Sequence, residues 1–382
     1  MTAVPSLPRL PSVDALRGLV MIIMALDHTR DFFHQGAMSF SPEDLTRTTA
    51  ALFFTRWITH FCAPVFMFTA GLAAFLWLRP GRTTTDLSKY LWKRGLLLVL
   101  LELTALRFAI FFSLTNPVVL LIVLWALGMS MVILGCLVRL PIRVVAALSV
   151  IVIAGHNLLD PIDGGWWWKV LHRPGVFEVG GVPVMVGYPL VPWFAVMAAG
   201  YCFGPVLSMA AEVRRAVMLR AGLGMTGLFV VLRFVNVYGD PSRWANDPPG
   251  MALLSFLRVA KYPPSLDFVL MTLGPALVVL AWFERLSWKP ANPLIVFGRT
   301  PLFYFLGHFF LAHLLAFPAA LLAYGKAAFL LRPMPSMGGD AALYPPGFGY
   351  SLPVVYGVWL LVVAIMYPLC VWFGKRFGKR RV

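Results

Sequence analysis

Ten stretches of about 20 apolar residues, joined mostly by short polar connections, leave this chain of 382 residues few ways to fold. They lie near 14–34, 51–78, 95–114, 117–138, 142–159, 189–211, 216–236, 265–284, 301–325 and 351–373. Each is long enough to cross the roughly 30 Å hydrocarbon core of a bilayer as a helix. None alternates with period two, as the strands of a membrane barrel must. Hydrophobic residues make up 60% of the chain and charged ones 13%. A soluble domain carries about 25% charge, so this chain lacks the polar residues to cover a water-facing surface. In lipid every backbone N–H and C=O must be satisfied internally. The expected fold is therefore all-α: a polytopic membrane bundle of about ten transmembrane helices, one domain over 1–382. No connection much exceeds roughly 30 residues, too few for a separate soluble core. No internal repeat is visible, so an inverted-repeat transporter gains no support. The first apolar run ends in Asp27, His28, Arg30 and Asp31 rather than in a small-residue cleavage site, and is read as a retained helix.

The net charge of +16 would suggest nucleic acid in a soluble protein. Here the basic residues cluster in alternate connections. One set holds Arg79, Arg82, Lys89, Lys93 and Arg94, then Arg139 and Arg143, then Arg214, Arg215 and Arg220, then Arg285 and Lys289. The tail adds Lys375, Arg376, Lys379, Arg380 and Arg381. The other connections, 35–50, 160–188, 237–264 and 326–350, are longer and poorer in positive charge. The positive-inside rule then places both termini in the cytoplasm, and the charge calls for no nucleic-acid partner; the expected location is a bacterial-type inner (plasma) membrane. The long outer connections carry Trp166, Trp167 and Trp168, Pro248-Pro249-Gly250, Pro263-Pro264 and Pro345-Pro346-Gly347. Such residues anchor a chain at the interface; a lid or acceptor surface is the alternative. Cys62, Cys136, Cys202 and Cys370 fall inside apolar runs without metal-ligand spacing and read as packed core thiols, so no metal is expected.

The most informative segment is Ser12 to His34. Ionisable groups inside a bilayer are costly and are functional candidates by default. Arg17 and His28 are close to three helical turns apart, on one face and roughly 16 Å along the axis. Asp14 and Asp31 fall near the same stripe, Asp27 on its edge, and Met21 and Met24 lie between. A fixed cation at the cytoplasmic end with an imidazole deeper in the helix suits a long, anionic acyl donor. Arginine holds phosphates. A neutral imidazole can take a proton from an acceptor or attack a thioester, and a neighbouring carboxylate orients it. A packing cluster of internal ion pairs among Asp27, Arg30 and Asp31 is the competing reading.

Among the other histidines, His60 is placed at the outer start of the second helix, where it could face His28. His308 and His313 sit five residues apart and point to different faces, with His308 near mid-membrane the stronger candidate. His156 and His172 are read as surface or loop residues. In Gly298-Arg299-Thr300-Pro301, Thr300 has the chemistry of an N-cap and Pro301 that of a first helical position. That helix start, with Arg299 beside it, is a candidate phosphate site; an ordinary capped helix whose arginine meets lipid headgroups is the alternative.

The run Ser12-Val-Asp-Ala-Leu-Arg-Gly, its helix ending in Asp27-His28-Thr-Arg-Asp-Phe-Phe, and the segments Gly187-Tyr-Pro-Leu-Val-Pro-Trp193, Gly200-Tyr-Cys-Phe-Gly204 and Gly298-Arg-Thr-Pro-Leu-Phe-Tyr-Phe-Leu-Gly-His308 resemble the bacterial relatives of heparan-α-glucosaminide N-acetyltransferase. The Arg17–His28 spacing is also similar to that of the acyltransferase-3 membrane family. The resemblance implies transfer of an acyl group, most often acetyl from acetyl-CoA as co-substrate, to a sugar-type hydroxyl or amine across the membrane. In the heparan enzyme the essential histidine follows the first helix, which His34 matches most nearly, and asparagine holds the place of His28. The acyltransferase-3 pattern favours His28, which is taken as the base or transient acyl carrier, with His34 second.

The combined expectation is a membrane-embedded acyltransferase. Its site is His28, oriented by Asp27 or Asp31 and completed by His34, His60 and His308, with Arg17, Arg299 and Lys93 holding the donor phosphates. The lipid bilayer, an acyl-CoA and a carbohydrate-type acceptor are the expected partners, and a homodimer stays open. A transporter or flippase is the first alternative. A haem or quinone electron carrier with His60 and His308 as axial ligands is the second.

Overall fold

The structure is a computed structural model and describes residues 10–78, 80–334 and 339–377. Arg79, Lys379, Arg380 and Arg381, counted above among the basic residues, lie outside the described residues. The first helix, α1 (Pro11–Phe33), begins with proline at its first position and Asp14 in its first turn, as the helix dipole favours. Then come α2 (Ala50–Trp57), a 3₁₀ turn (Ile58–Phe61) and α3 (Cys62–Trp77) as one continuous run, followed by α4 (Thr84–Leu101), a π turn (Glu102–Leu106) and α5 (Arg107–Phe111). The middle of the chain forms α6 (Val123–Leu137), α7 (Ile142–Gly155), the short α8 (Gly165–Leu171), α9 (Trp193–Phe203) and α10 (Ala211–Val235). The rest forms α11 (Ala252–Leu257), α12 (Leu266–Phe283), α13 (Pro293–Arg299), α14 (Pro301–Tyr324) and α15 (Leu352–Phe377).

Each of the ten expected apolar segments contains helix, the one near 117–138 only from Val123, but among the described residues six runs have both the length and the apolarity to cross a membrane: 50–77, 142–159, 211–235, 266–283, 301–324 and 352–377. Two of these, 266–283 and 50–77, are 78% and 72% buried along their most apolar windows. Three others, 142–159, 211–235 and 352–377, are 17%, 22% and 22% buried, so their exposed apolar faces form a periphery suited to lipid. Cys136 is exposed rather than a core thiol, whereas Cys62 and Cys370 are buried.

Two differences from the sequence expectation have local causes. First, α4 starts at Thr84 instead of near 95, because Thr83 and Asp86 form a reciprocal capping box. Lys89, Lys93 and Arg94 therefore ride on helix rather than in a connection. Second, the all-α expectation is too strict. A three-stranded sheet, order β1-β3-β2, joins β1 (Val119–Leu121) in parallel to β3 (Val182–Val186), which pairs antiparallel with β2 (Gly175–Val179). Gly180 and Gly181 make the hairpin turn with φ of +57° and +77°, a pair of left-handed positions that glycine accepts without strain.

The bundle closes on glycines. At Gly18 of α1 an added Cβ would lie 1.8 Å from the Leu294 carbonyl oxygen of α13, and at Gly298 of α13 it would lie 1.8 Å from the Asp14 carbonyl of α1. Two helices thus touch backbone to backbone, which small residues permit in membranes. That contact fixes the depth of α1 in the centre of the molecule, between α3, α12, α14 and α15. Glu102, in the π turn, fixes the start of α6. Its carboxylate accepts backbone N–H groups of Ile122, Leu124 and Trp125 at 2.7, 2.8 and 3.2 Å, capping one helix from another.

Candidate active site

The C-terminal half of α1 lines a cavity of about 800 Å³. Its wall includes Met24, Asp27, His28, Arg30 and Asp31 from α1 and Thr59, Cys62 and Phe66 from the second run. The β2–β3 hairpin contributes Gly175, Val176, Met185 and Val186. One helical face thus presents a base, two carboxylates and an arginine to one space, as a period of 3.6 residues dictates for positions 24, 27, 28 and 31.

The charges interlock. Arg30 reaches Asp31 at 2.6 Å and Asp27 at 3.0 Å. Arg56 of α2 binds the other oxygen of Asp27 and stands 3.8 Å from Glu43. Glu43 in turn lies 3.3 Å from Nε2 of His60. His28 sits at the edge of this network, Nδ1 3.7 Å from Asp31, with its ring 3.8 Å from that of Phe309 and 5.3 Å from that of His308. The distance to Asp31 exceeds a hydrogen bond, so the carboxylate orients the ring by charge. His308 is fully buried, bonds the Tyr304 carbonyl through Nδ1 at 2.9 Å and keeps Nε2 without a protein partner. One turn back, the Tyr304 hydroxyl is buried and likewise without a hydrogen-bond partner.

The other expected site residues part company. Arg17 donates to the Thr69 carbonyl at 2.6 Å and lies 4.0 Å from Asp14, which also meets Arg299 at 3.4 Å. These three gather at the N-terminal end of α1, about 16 Å along the axis from His28. Lys93 is exposed on α4. His34 does not line the cavity. It closes α1, and its Nδ1 accepts the Gly36 N–H at 3.0 Å. Burial, with the Arg30 cation beside it, holds its imidazole below the ordinary value, as an accepting ring nitrogen requires. His60 is not at the start of its helix but in the 3₁₀ turn at its middle, buried against Phe268. Thr300 stands at the N-cap position of α14, but its hydroxyl donates back to the Val296 carbonyl at 3.0 Å instead of capping. The short helix α13 runs directly into that position, so the threonine meets a helix end rather than open space.

Two cationic residues of this region escaped the sequence reading. Arg56 stood as a lone charge in an apolar run, and Lys261 lay in a connection counted as poor in charge. Lys261 is nevertheless buried and lines the cavity with Tyr262 and Tyr188. Arg233 of α10 holds its segment in place by donating to the carbonyls of Ser242, Ser255, Phe256 and Arg258 at 2.8–3.0 Å. Asp240 adds bonds from Ala260 N–H and the Ser265 hydroxyl, both 2.7 Å. Burial pushes the Tyr262 phenol up, but the Lys261 and Arg56 cations outweigh it and hold the group below its usual value.

The family model described as heparan-alpha-glucosaminide N-acetyltransferase, catalytic, matches residues 9–232. The chain belongs to that family. The match runs from the start of α1 to near the end of α10 and so includes the His28 wall, Arg56 and the hairpin, while the α14 motif lies beyond it. A search of curated proteins found no match. Family membership, with six membrane-length helices among the described residues, makes the chain an integral membrane protein of the acyltransferase class.

Proposed function

We propose that this member of the family transfers an acetyl group from acetyl-CoA to a sugar-type hydroxyl or amine. The observation that carries the proposal is the placement of His28, beside Asp31 and His308, in the wall of a cavity where Arg30 and Arg56 pair with Asp27 and Asp31. The thioester carbonyl enters next to His28. The acceptor hydroxyl or amine loses its proton to Nε2 of His28 as its oxygen or nitrogen bonds the carbonyl carbon. The tetrahedral oxyanion is stabilised by Lys261 or Arg56. The C–S bond breaks, and the leaving thiolate takes the proton back from His28. Asp31, on the Nδ1 side, holds the ring and favours the imidazolium that forms in between.

The donor phosphates bind at the other end of α1, on Arg17 and Arg299, with Asp14 holding both guanidinium groups in place. Tyr304 and His308, one turn apart on α14 and each with an unpartnered polar atom, supply polar footing for the pantetheine arm. In this reading both termini face the cytoplasm with the donor, and the acceptor reaches the cavity from the opposite face past the hairpin.

Calorimetric titration of acetyl-CoA into the detergent-purified full chain tests the donor. Saturable binding is expected, weakened about tenfold or more in Arg17→Ala, the equivalent of one charge-assisted contact. An Arg17→Ala variant that binds as tightly as wild type would remove Arg17 from the donor site. Failure of wild type to bind at millimolar donor would overturn the acetyl-CoA reading.

A further inference from the structure

Beyond the cavity, His156, Asp160 and His172 converge where α7 ends and α8 ends. His156 opens the 3₁₀ turn His156–Leu159 that finishes α7, Asp160 follows it, and His172 is the C-cap of α8. The sequence suggested surface or loop roles for both histidines. They are instead 2% and 1% exposed. His172 Nε2 stands 2.8 Å from Asp160 Oδ1, the two imidazole rings are 5.5 Å apart, and one ligand atom from each of the three residues falls within 4.8 Å of the others.

The ring nitrogens are not accounted for. Neither nitrogen of His156, nor Nδ1 of His172, has a hydrogen-bond partner. A buried polar group left unpaired costs about 1–3 kcal/mol, and a ligand that takes up a His156 nitrogen relieves part of that cost. The donor set says which. Two imidazoles and one carboxylate suit a borderline transition-metal ion and do not suit Mg²⁺ or Ca²⁺, which take oxygen ligands. Outer support is present as well. Asn157 Nδ2 holds the second oxygen of Asp160 at 2.9 Å, and an ion between Oδ1 and His172 Nε2 replaces the 2.8 Å contact they make with each other. The Pro264 carbonyl lies beside the His156 ring, outside hydrogen-bonding geometry, where it can orient a ligating imidazole.

We propose that His156, Asp160 and His172 bind one Zn²⁺-class ion, with water as the fourth ligand. Tetrahedral ligation brings ligand atoms to about 3.4 Å from one another, given bonds of about 2.0–2.1 Å. His172 then binds through Nε2 and carries its proton on Nδ1, so the neutral ring loses none. The ion ties the end of α7 to the end of α8. Val170 and Leu171 of α8 accept the N–H groups of Leu190 and Val191. The bound ion thereby anchors the segment whose hairpin forms one side of the cavity.

The test is titration of ZnCl₂, and of CoCl₂ as a visible probe, into untagged full-length protein stripped with chelator in detergent. One ion per chain and the absorption of tetrahedral Co²⁺ are expected. His156→Ala and His172→Ala should each weaken zinc binding about 100-fold or more. Should the alanine variants not fold, His156→Cys decides. A cysteine ligand adds a thiolate-to-cobalt charge-transfer band in the near ultraviolet. Wild-type protein that takes up neither metal, or a His156→Cys protein whose cobalt spectrum matches wild type, overturns the site.

Discussion

His28→Ala is expected to lower acetyl transfer by about 10²–10⁴-fold, the usual contribution of a positioned general base, while acetyl-CoA binding and thermal stability stay near wild type. Its ring makes no protein hydrogen bond through Nδ1 and packs on Phe309 and His308, so its removal leaves no buried ion without its partner. Release of CoA thiol and appearance of labelled acetylated acceptor measure the loss. His34→Ala is the matched control. Its Nδ1 accepts the Gly36 N–H in the turn after α1, so that variant should lose some stability and keep the chemistry. Wild-type turnover in His28→Ala, or loss of chemistry confined to His34→Ala, would shift the base to His34 and remove the mechanism given above.

Arg56→Ala is expected to be the most destabilising single change at the site. Asp27 is held between Arg30 and Arg56, with the Arg56 and Asp27 side chains only 12% and 9% exposed. Removing one partner of a buried pair leaves an uncompensated charge and typically costs about 3–5 kcal/mol. Glu43, which also meets His60, loses its Arg56 neighbour in the same step. The expected readout is a marked fall in the midpoint of thermal aggregation in detergent. Arg56→Lys should recover part of it. The double variant Arg56→Met with Asp27→Leu should recover more, because exchanging a whole buried pair for apolar side chains is often neutral. If Arg56→Ala melts like wild type, the network does not hold the wall of the cavity together.

How much of this could be read beforehand follows from the range of the forces involved. Apolar length fixes a membrane helix locally, so 142–159 and 266–283 emerge within a residue or so of expectation. Helical period is local too, and it brings Asp27, His28 and Asp31 to one wall. Arg56 and Lys261 reach that wall only through tertiary contacts, and no spacing in the sequence connects positions 27, 56 and 261. The capping box at Thr83 is legible in the sequence, but the charges that follow it read equally as a connection. The hairpin was legible as well. Gly180-Gly181 between Val-rich runs is a turn signal, but it lies in a connection rich in interfacial Trp. Thr300 shows the opposite case: the right residue at the right position, diverted because a helix occupies the space in front of it.

The pairing of Arg30 and Arg56 with Asp27, Asp31 and Glu43, beside the buried Lys261, has an electrical consequence. These charges balance one another and are fixed in the wall, and an acetyl group is neutral. Each elementary charge moved through a membrane potential gains or loses about 2.3 kcal/mol per 100 mV. A cycle that carries a neutral group past a stationary, balanced set of ions couples to none of that energy. Turnover in sealed vesicles should thus run at the same rate under an imposed potassium diffusion potential of either sign. A rate that followed the potential would reveal charge in motion and point to transport in place of acyl transfer.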